Sequence, residues 1–186
     1  MADDPHITSD FLVPENSKAI NSSFFTLTAM RTLFKPNPPA TFSVTKATMA
    51  EFPALKGQSV SYAALEFPAG GSVDPLHAHP RSAELLFVVH GCVEVGFVDT
   101  RGKLLTQKVE EGDMFLFPKG VVHFEYNIEE EIPAFAVSAF GSASPGTEWV
   151  DGGLFGAEVE DEILAKSFQT DVATIQKIKR GLEAKK

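Results

Sequence analysis

The chain has 186 residues, enough for one domain with a good core and too few for two comfortable ones. Its 44% hydrophobic and 22% charged content excludes wholesale disorder. Sixteen basic against 25 acidic side chains give a net charge of −9, with no Lys/Arg stripe to neutralise phosphates, so neither nucleic acid nor a membrane is an expected partner.

In chain order, residues 1–40 read as a loop-rich N-terminal extension, because Pro5, Pro14, Pro36, Pro38 and Pro39 interrupt any helix or central strand. The opening MADDPHITSD has no basic stretch followed by an apolar one, so it is not itself a signal peptide. Asn21-Ser22-Ser23 is a glycosylation sequon and weakly favours secretion. Residues 41–150 read as a β domain built of short segments separated by Gly, Pro and Asp. Strands are predicted over 59–67, 84–90, 92–99, 103–109, 114–117, 121–126 and 133–140. Val93, Val95 and Phe97 alternate with Glu94, Gly96 and Val98, the period of two expected for a half-buried strand. Many short antiparallel strands at this spacing argue for an all-β sandwich or closed barrel. The 16 Phe residues are expected to fill its core.

The character changes in residues 151–186. Two short helices are predicted over 157–167 and 171–183, with Thr170 as N-cap of the second. Ile175, Ile178 and Leu182 form one apolar stripe on it. Short helices outside a β domain have little core of their own, and the stripe is expected to pack on a neighbouring subunit.

Two blocks carry the chemistry. The first runs from Gly71 to Gly91 and contains His77, His79 and Glu84; the second runs from Gly112 to Asn127 and contains Pro118, Gly120 and His123. His77 and His79 are separated by one residue, so on a strand both imidazoles leave the same face. Pro80-Arg81-Ser82 breaks that strand, which frees Glu84 from the parity of the histidines. His123 can close the site from an antiparallel partner. Three imidazoles and one carboxylate are a ligand set for a divalent transition metal. His6 and His90 stand outside the blocks and are assigned packing or hydrogen-bonding roles. Cys92, the only cysteine, is read as a buried residue rather than a nucleophile, and it excludes an intramolecular disulfide.

Written as Gly71-x5-His77-x-His79-x4-Glu84-x6-Gly91 and Gly112-x5-Pro118-x-Gly120-x2-His123-x3-Asn127, the blocks match both cupin motifs at every position. GGSVDPLHAHPRSAE (70–84), VGFVDT (95–100) and GDMFLFPKGVVHFEYN (112–127) resemble plant germins and germin-like proteins more narrowly. The resemblance implies a cupin jelly-roll β barrel, a buried Mn2+, a homohexamer built as a trimer of dimers, and secretion to the apoplast. Three departures stand out. Leu12 occupies the place of the first cysteine of the usual N-terminal disulfide, and His90-Gly91-Cys92 replaces a common Lys- or Arg-Gly-acid tripeptide. Ala64 and Asp74 are matched to the two Asn residues that hold substrate in oxalate-oxidising germins.

The expected function is metal-centred redox chemistry on a small anion or other small molecule, such as superoxide dismutation, and not oxalate oxidation. The alternatives are a non-catalytic metal- and ligand-binding wall protein, or a different metal-dependent enzyme on the same scaffold. Asp74 is the candidate catalytic residue: pointing inward it can act as general acid or base, and pointing outward it caps the bend at Val73–Pro75.

Overall fold

Short runs that alternate between core and surface build two antiparallel sheets of five strands each. The computed structural model describes residues 6–13, 15, 20–34 and 39–183, so Pro5, Pro14, Pro36 and Pro38 of the predicted loop region lie outside the described residues. The strands are β1 (Ser43–Ala47), β2 (Ser61–Phe67), β3 (Val73–Ala78), β4 (Glu84–His90), β5 (Cys92–Val98), β6 (Leu104–Glu110), β7 (Met114–Phe117), β8 (His123–Tyr126), β9 (Ala134–Phe140) and β10 (Glu148–Trp149). One sheet runs β1-β2-β9-β4-β7 and the other β10-β3-β8-β5-β6, the two-layer arrangement of a jelly roll. Before them, Ser22–Phe25 and Ala29–Phe34 form short 3-10 helices, and exposed Asn21 caps the first by accepting from Ser23 N.

The seven predicted strands are present, with ends shifted by a residue or two; β1 and β10 were not foreseen, and β3 was expected only as a strand carrying the histidine pair, without bounds. β1 is an edge strand and β10 has only two residues, so neither carries a full alternating pattern. β8 begins at His123 because Val121 closes a turn instead, its N–H donating to Pro118 O at 3.3 Å. At the β4–β5 corner Gly91 has φ +78°, and a Cβ there would stand 2.7 Å from Pro133 O, so only glycine fits.

Between the sheets, Phe67, Leu86, Val88, Val93, Val95, Phe117 and Ala136 are fully buried. The alternation read along β5 holds, with Val93 and Val95 facing the core. The phenylalanines are less uniform than expected. Phe67, Phe117 and Phe140 are buried and Phe42, Phe97 and Phe115 pack against the core, whereas Phe34 and Phe168 are exposed.

The C-terminal region contains α1 (Val150–Phe155), α2 (Asp161–Ser167) and α3 (Val172–Glu183). The N-cap of α3 is Asp171, not Thr170: its Oδ1 accepts from Thr174 N at 2.9 Å and its Oδ2 from the Thr174 hydroxyl. The helices also have a core of their own, contrary to expectation. Ile175 is sealed against Leu164 and Ala165, with Phe155 and Val159 at the margin, and of the predicted stripe only Ile178 is exposed.

Candidate metal centre

His77 and His123 are direct cross-strand partners on β3 and β8, and Glu84 opens β4 on the opposite sheet. His79 lies one residue past β3, just before the Pro80-Arg81 turn; the imidazoles still converge, because the backbone of His79 is held by Gly120 N donating to its carbonyl at 3.0 Å. That bond explains one job of the second block's glycine turn. All four ligand atoms lie within 4.8 Å of one another, and all four residues are buried.

The tautomers follow from the backbone. His77 Nδ1 donates to Pro75 O at 2.7 Å, His123 Nδ1 to Val121 O at 2.8 Å, and His79 Nδ1 to Gly146 O. A carbonyl can only accept, so each Nδ1 carries the hydrogen and each Nε2 presents a lone pair. Glu84 Oε2 stands 2.9 Å from His79 Nε2 and 3.3 Å from His123 Nε2, while its Oε1 accepts from Ser138 Oγ at 2.5 Å. Lone pairs of nitrogen and a carboxylate oxygen at such distances repel unless a cation lies among them. The donor set therefore fits a divalent transition ion with mixed imidazole and carboxylate ligation.

The electrostatics agree. His77 is pushed down to about 4, first by burial and then by neighbouring His123, so it is neutral at physiological pH as a ligand must be. The ring of Phe117 stacks on His123 with centroids 4.4 Å apart, and Trp149, paired with His77 across β10, places its ring 5.1 Å from the His77 ring.

Asp74 turns inward. It is 4% exposed, its carboxylate lies 3.6 Å from His77 Nδ1, and its Oδ1 has no hydrogen-bond partner among the described residues. Simple alternation would put residues 74 and 77 on opposite faces. The register shifts between them, where Pro75 has no N–H to give the ladder, and both side chains end inside. Burial first, and the charge of Glu84 second, push Asp74 up to about 8.

Ala64 is a different case. It shares its cross-strand row with Val137 and Phe87 on the outer face of the sheet, so the place matched to a substrate-holding Asn does not face the cavity; Ala63 and Leu65 do. Outside the site, His6 is exposed, His90 is exposed and pairs with Glu111 at 3.1 Å, and burial pushes the thiol of Cys92 up.

Sequence reasoning missed Glu125, Ser138 and Gly146. Glu125 is fully buried on β8 opposite Asp74, both its oxygens lack partners among the described residues, and burial with Glu84 and Asp74 raises it well above the usual range. Its place two residues after His123 on one strand was the available signal. Asn127, the last residue of the second block, is structural: its Nδ2 donates to Ile132 O at 2.9 Å and Pro68 O at 3.2 Å, tying down the end of β8.

A model of the cupin family matches residues 32–176. The putative germin-like protein 9-2 of Oryza sativa subsp. japonica is 54% identical over 187 residues, spanning 98% of this chain and 86% of that protein. Germin-like protein 9-3 of the same plant is also 54% identical, over 189 residues that span 98% of this chain and 87% of that one. Among solved structures, an oxalate oxidase superposes with a TM-score of 0.82 at 28% identity, over 96% of this chain and 97% of that one.

Proposed function

Since the chain belongs to the cupin family, and within it to the germin-like proteins of plants, we propose that it is an extracellular manganese protein with redox activity toward superoxide. The observation that carries this reading is the convergence of His77, His79, Glu84 and His123 in a buried pocket, with the Nε2 atoms of His79 and His123 at 2.9 and 3.3 Å from one Glu84 oxygen. His77, His79, Glu84 and His123 would hold the ion. When bound, manganese supplies one-electron redox chemistry at coordination positions that four protein ligands leave free, which suits dismutation of superoxide to dioxygen and hydrogen peroxide.

The chain's own residues do the rest. The carbonyls of Pro75, Val121 and Gly146 fix the rings, and Ser138 fixes Glu84, so the ligands are preorganised. Phe117, Phe140 and Trp149 wall the site from bulk water. Forming hydrogen peroxide consumes protons, and the Asp74 carboxyl, lining the cavity beside His77, is placed to pass them.

Oxalate is a poor candidate substrate. The β2 side of the cavity offers Ala63 and Leu65, which have no side-chain donor for it. No helix among the described residues is long and apolar enough to cross a membrane, in keeping with a wall protein.

The test combines metal analysis with two assays. Protein purified without added metal should contain about one manganese per chain and dismutate superoxide, and His79→Ala should lose the ion and at least about 100-fold in rate. Oxalate should release hydrogen peroxide at a rate at least about 10⁴-fold below that of an oxalate oxidase. A metal-free native protein, or a dismutation rate unmoved by His79→Ala, would sink the proposal.

A further inference from the structure

Each imidazole of the site is only as well placed as the carbonyl that takes its Nδ1 hydrogen. For His77 and His123 that carbonyl lies two residues back in the chain, at Pro75 and Val121. For His79 it is Gly146, 67 residues away in the loop between β9 and β10. On the other side of the ring, Glu84 Oε2 stands 2.9 Å from His79 Nε2. A hydrogen on Nε2 would donate to that oxygen, and the ring would then turn its lone pair away from the other ligands. Gly146 and Glu84 thus compete for one hydrogen, and the position of the loop decides between them.

Arg81 holds that loop. Three successive carbonyls accept from the turn at residues 79–81: Ser144 O from Arg81 Nε at 2.5 Å, Pro145 O from Arg81 N at 3.1 Å, and Gly146 O from His79 Nδ1. Arg81 Nη2 also donates to Ser144 Oγ at 3.2 Å. The guanidinium rests against Gly146, where a Cβ would stand 2.8 Å from Nη2 and 3.0 Å from Cζ. Past Gly146 the grip is weaker, since the bond from Lys46 Nζ to Thr147 Oγ1 is long, at 3.5 Å. The Arg81 side chain is exposed, so its removal leaves no buried charge behind.

We propose that Arg81 is a positioning residue of the metal centre, which fixes, through the Gly146 carbonyl, the nitrogen that His79 turns toward the ion. The inference rests on the metal reading for the use to which that nitrogen is put. Charge and geometry act here with opposite signs. A guanidinium repels a nearby cation, so if Arg81 acted by charge its removal would tighten metal binding. Acting by position, its removal loosens it.

The experiment compares the full chain with its Arg81→Ala variant. In ¹⁵N NMR of histidine-labelled, metal-free protein, wild type should show His77, His79 and His123 as Nδ1–H tautomers. In Arg81→Ala the Nε2–H form should appear at His79 alone, because the other two rings keep acceptors two residues away. A general loosening of the fold would move all three. Manganese titrated into the same two proteins should bind about tenfold more weakly to the variant, the lower end of the loss expected when the partner that orients a ligand is disturbed. A His79 tautomer unmoved by the substitution, an equal change in all three rings, or manganese affinity equal to or above that of wild type would overturn the proposal. A wild-type chain that takes up no manganese would end the metal reading on its own account, and the tautomer comparison would still decide the role of Arg81.

Discussion

At the scale of single residues, the site is set by groups that the motifs do not contain. The meeting of His77, His79, Glu84 and His123 was legible because the motif fixes both residue type and spacing, and because a histidine pair two apart on a strand leaves one face. Gly146 and Ser138 were not legible. They come from a loop and from β9, more than fifty residues after the groups they hold, and nothing local to them marks the pairing. Ala64 was misplaced and Ala63 overlooked for a related reason: a period of two along β2 assigns faces only once the strand's partner is known, and a one-residue slip exchanges them. Asp74 could be read either way until Pro75 was seen to shift the register. Glu125 gives the residue-scale prediction. Its carboxyl is raised in the folded chain, so between its ordinary value near 4.5 and its raised value the folded state holds a proton that the unfolded state has lost. The metal-free protein should therefore lose stability as pH rises through that window, and Asp74, raised from 3.8 to about 8, acts in the same direction. Glu125→Gln removes the ionisable group. Thermal melts of the metal-free variant should show a gain of about 1–3 kcal/mol over wild type at pH 8.5 and almost none at pH 5, the magnitude expected for an unpaired buried polar group. An equal gain at both pH values would show that charge burial is not the cause.

At the scale of elements, strands were read well where alternation is full and poorly at the edges. Four- to seven-residue strands with one buried face leave a clear trace; two-residue β10 leaves none, though it carries the tryptophan that faces His77. The C-terminal helices show a second limit. Periodicity gave the stripe of α3 but not its cover, because α2 presents only Leu164 and Ala165 to it, too few positions to read as a face. The cover has an energetic consequence. Ile175 is fully buried, and Ile175→Ala should cost about 2–5 kcal/mol. The loss should be local: hydrogen exchange should speed up across α2 and α3, while the strands and the metal content stay as in wild type. Loss of protection across β3, β4 and β8 in this variant would mean that the helices and the barrel fold as one cooperative unit.

At the scale of the whole molecule, the outer face of the first sheet is apolar where a monomer should be polar. Leu85 stands opposite Leu116 and Phe87 opposite Met114, and Met114 and Leu116 are 61% and 56% exposed. The rows continue through Ala139 and Val137 on β9. A strip of this kind marks a contact with another chain, and it supports the proposed hexamer better than the α3 stripe, most of which is covered. Light scattering should give a mass near six times the 20.1 kDa chain, and Leu116→Arg should lower it by placing a charge at the centre of the strip. A wild-type mass of one chain would refute the assembly.

The distribution of the ligands over the two sheets carries a mechanical meaning. Glu84 belongs to the sheet β1-β2-β9-β4-β7, and His77 and His123 to the other. An ion among them would be a clasp through the interior, fastening layers that otherwise adhere by side-chain packing alone. It would close a chain loop between positions 77 and 123, the constraint on the unfolded ensemble that a disulfide ordinarily provides. With a single cysteine, buried at Cys92, the chain has no covalent means to make such a closure within itself. With an ion bound, the same four side chains would serve both as the metal site and as the seam that keeps the barrel from parting, and a substitution among them would be felt in the durability of the fold as well as in the chemistry.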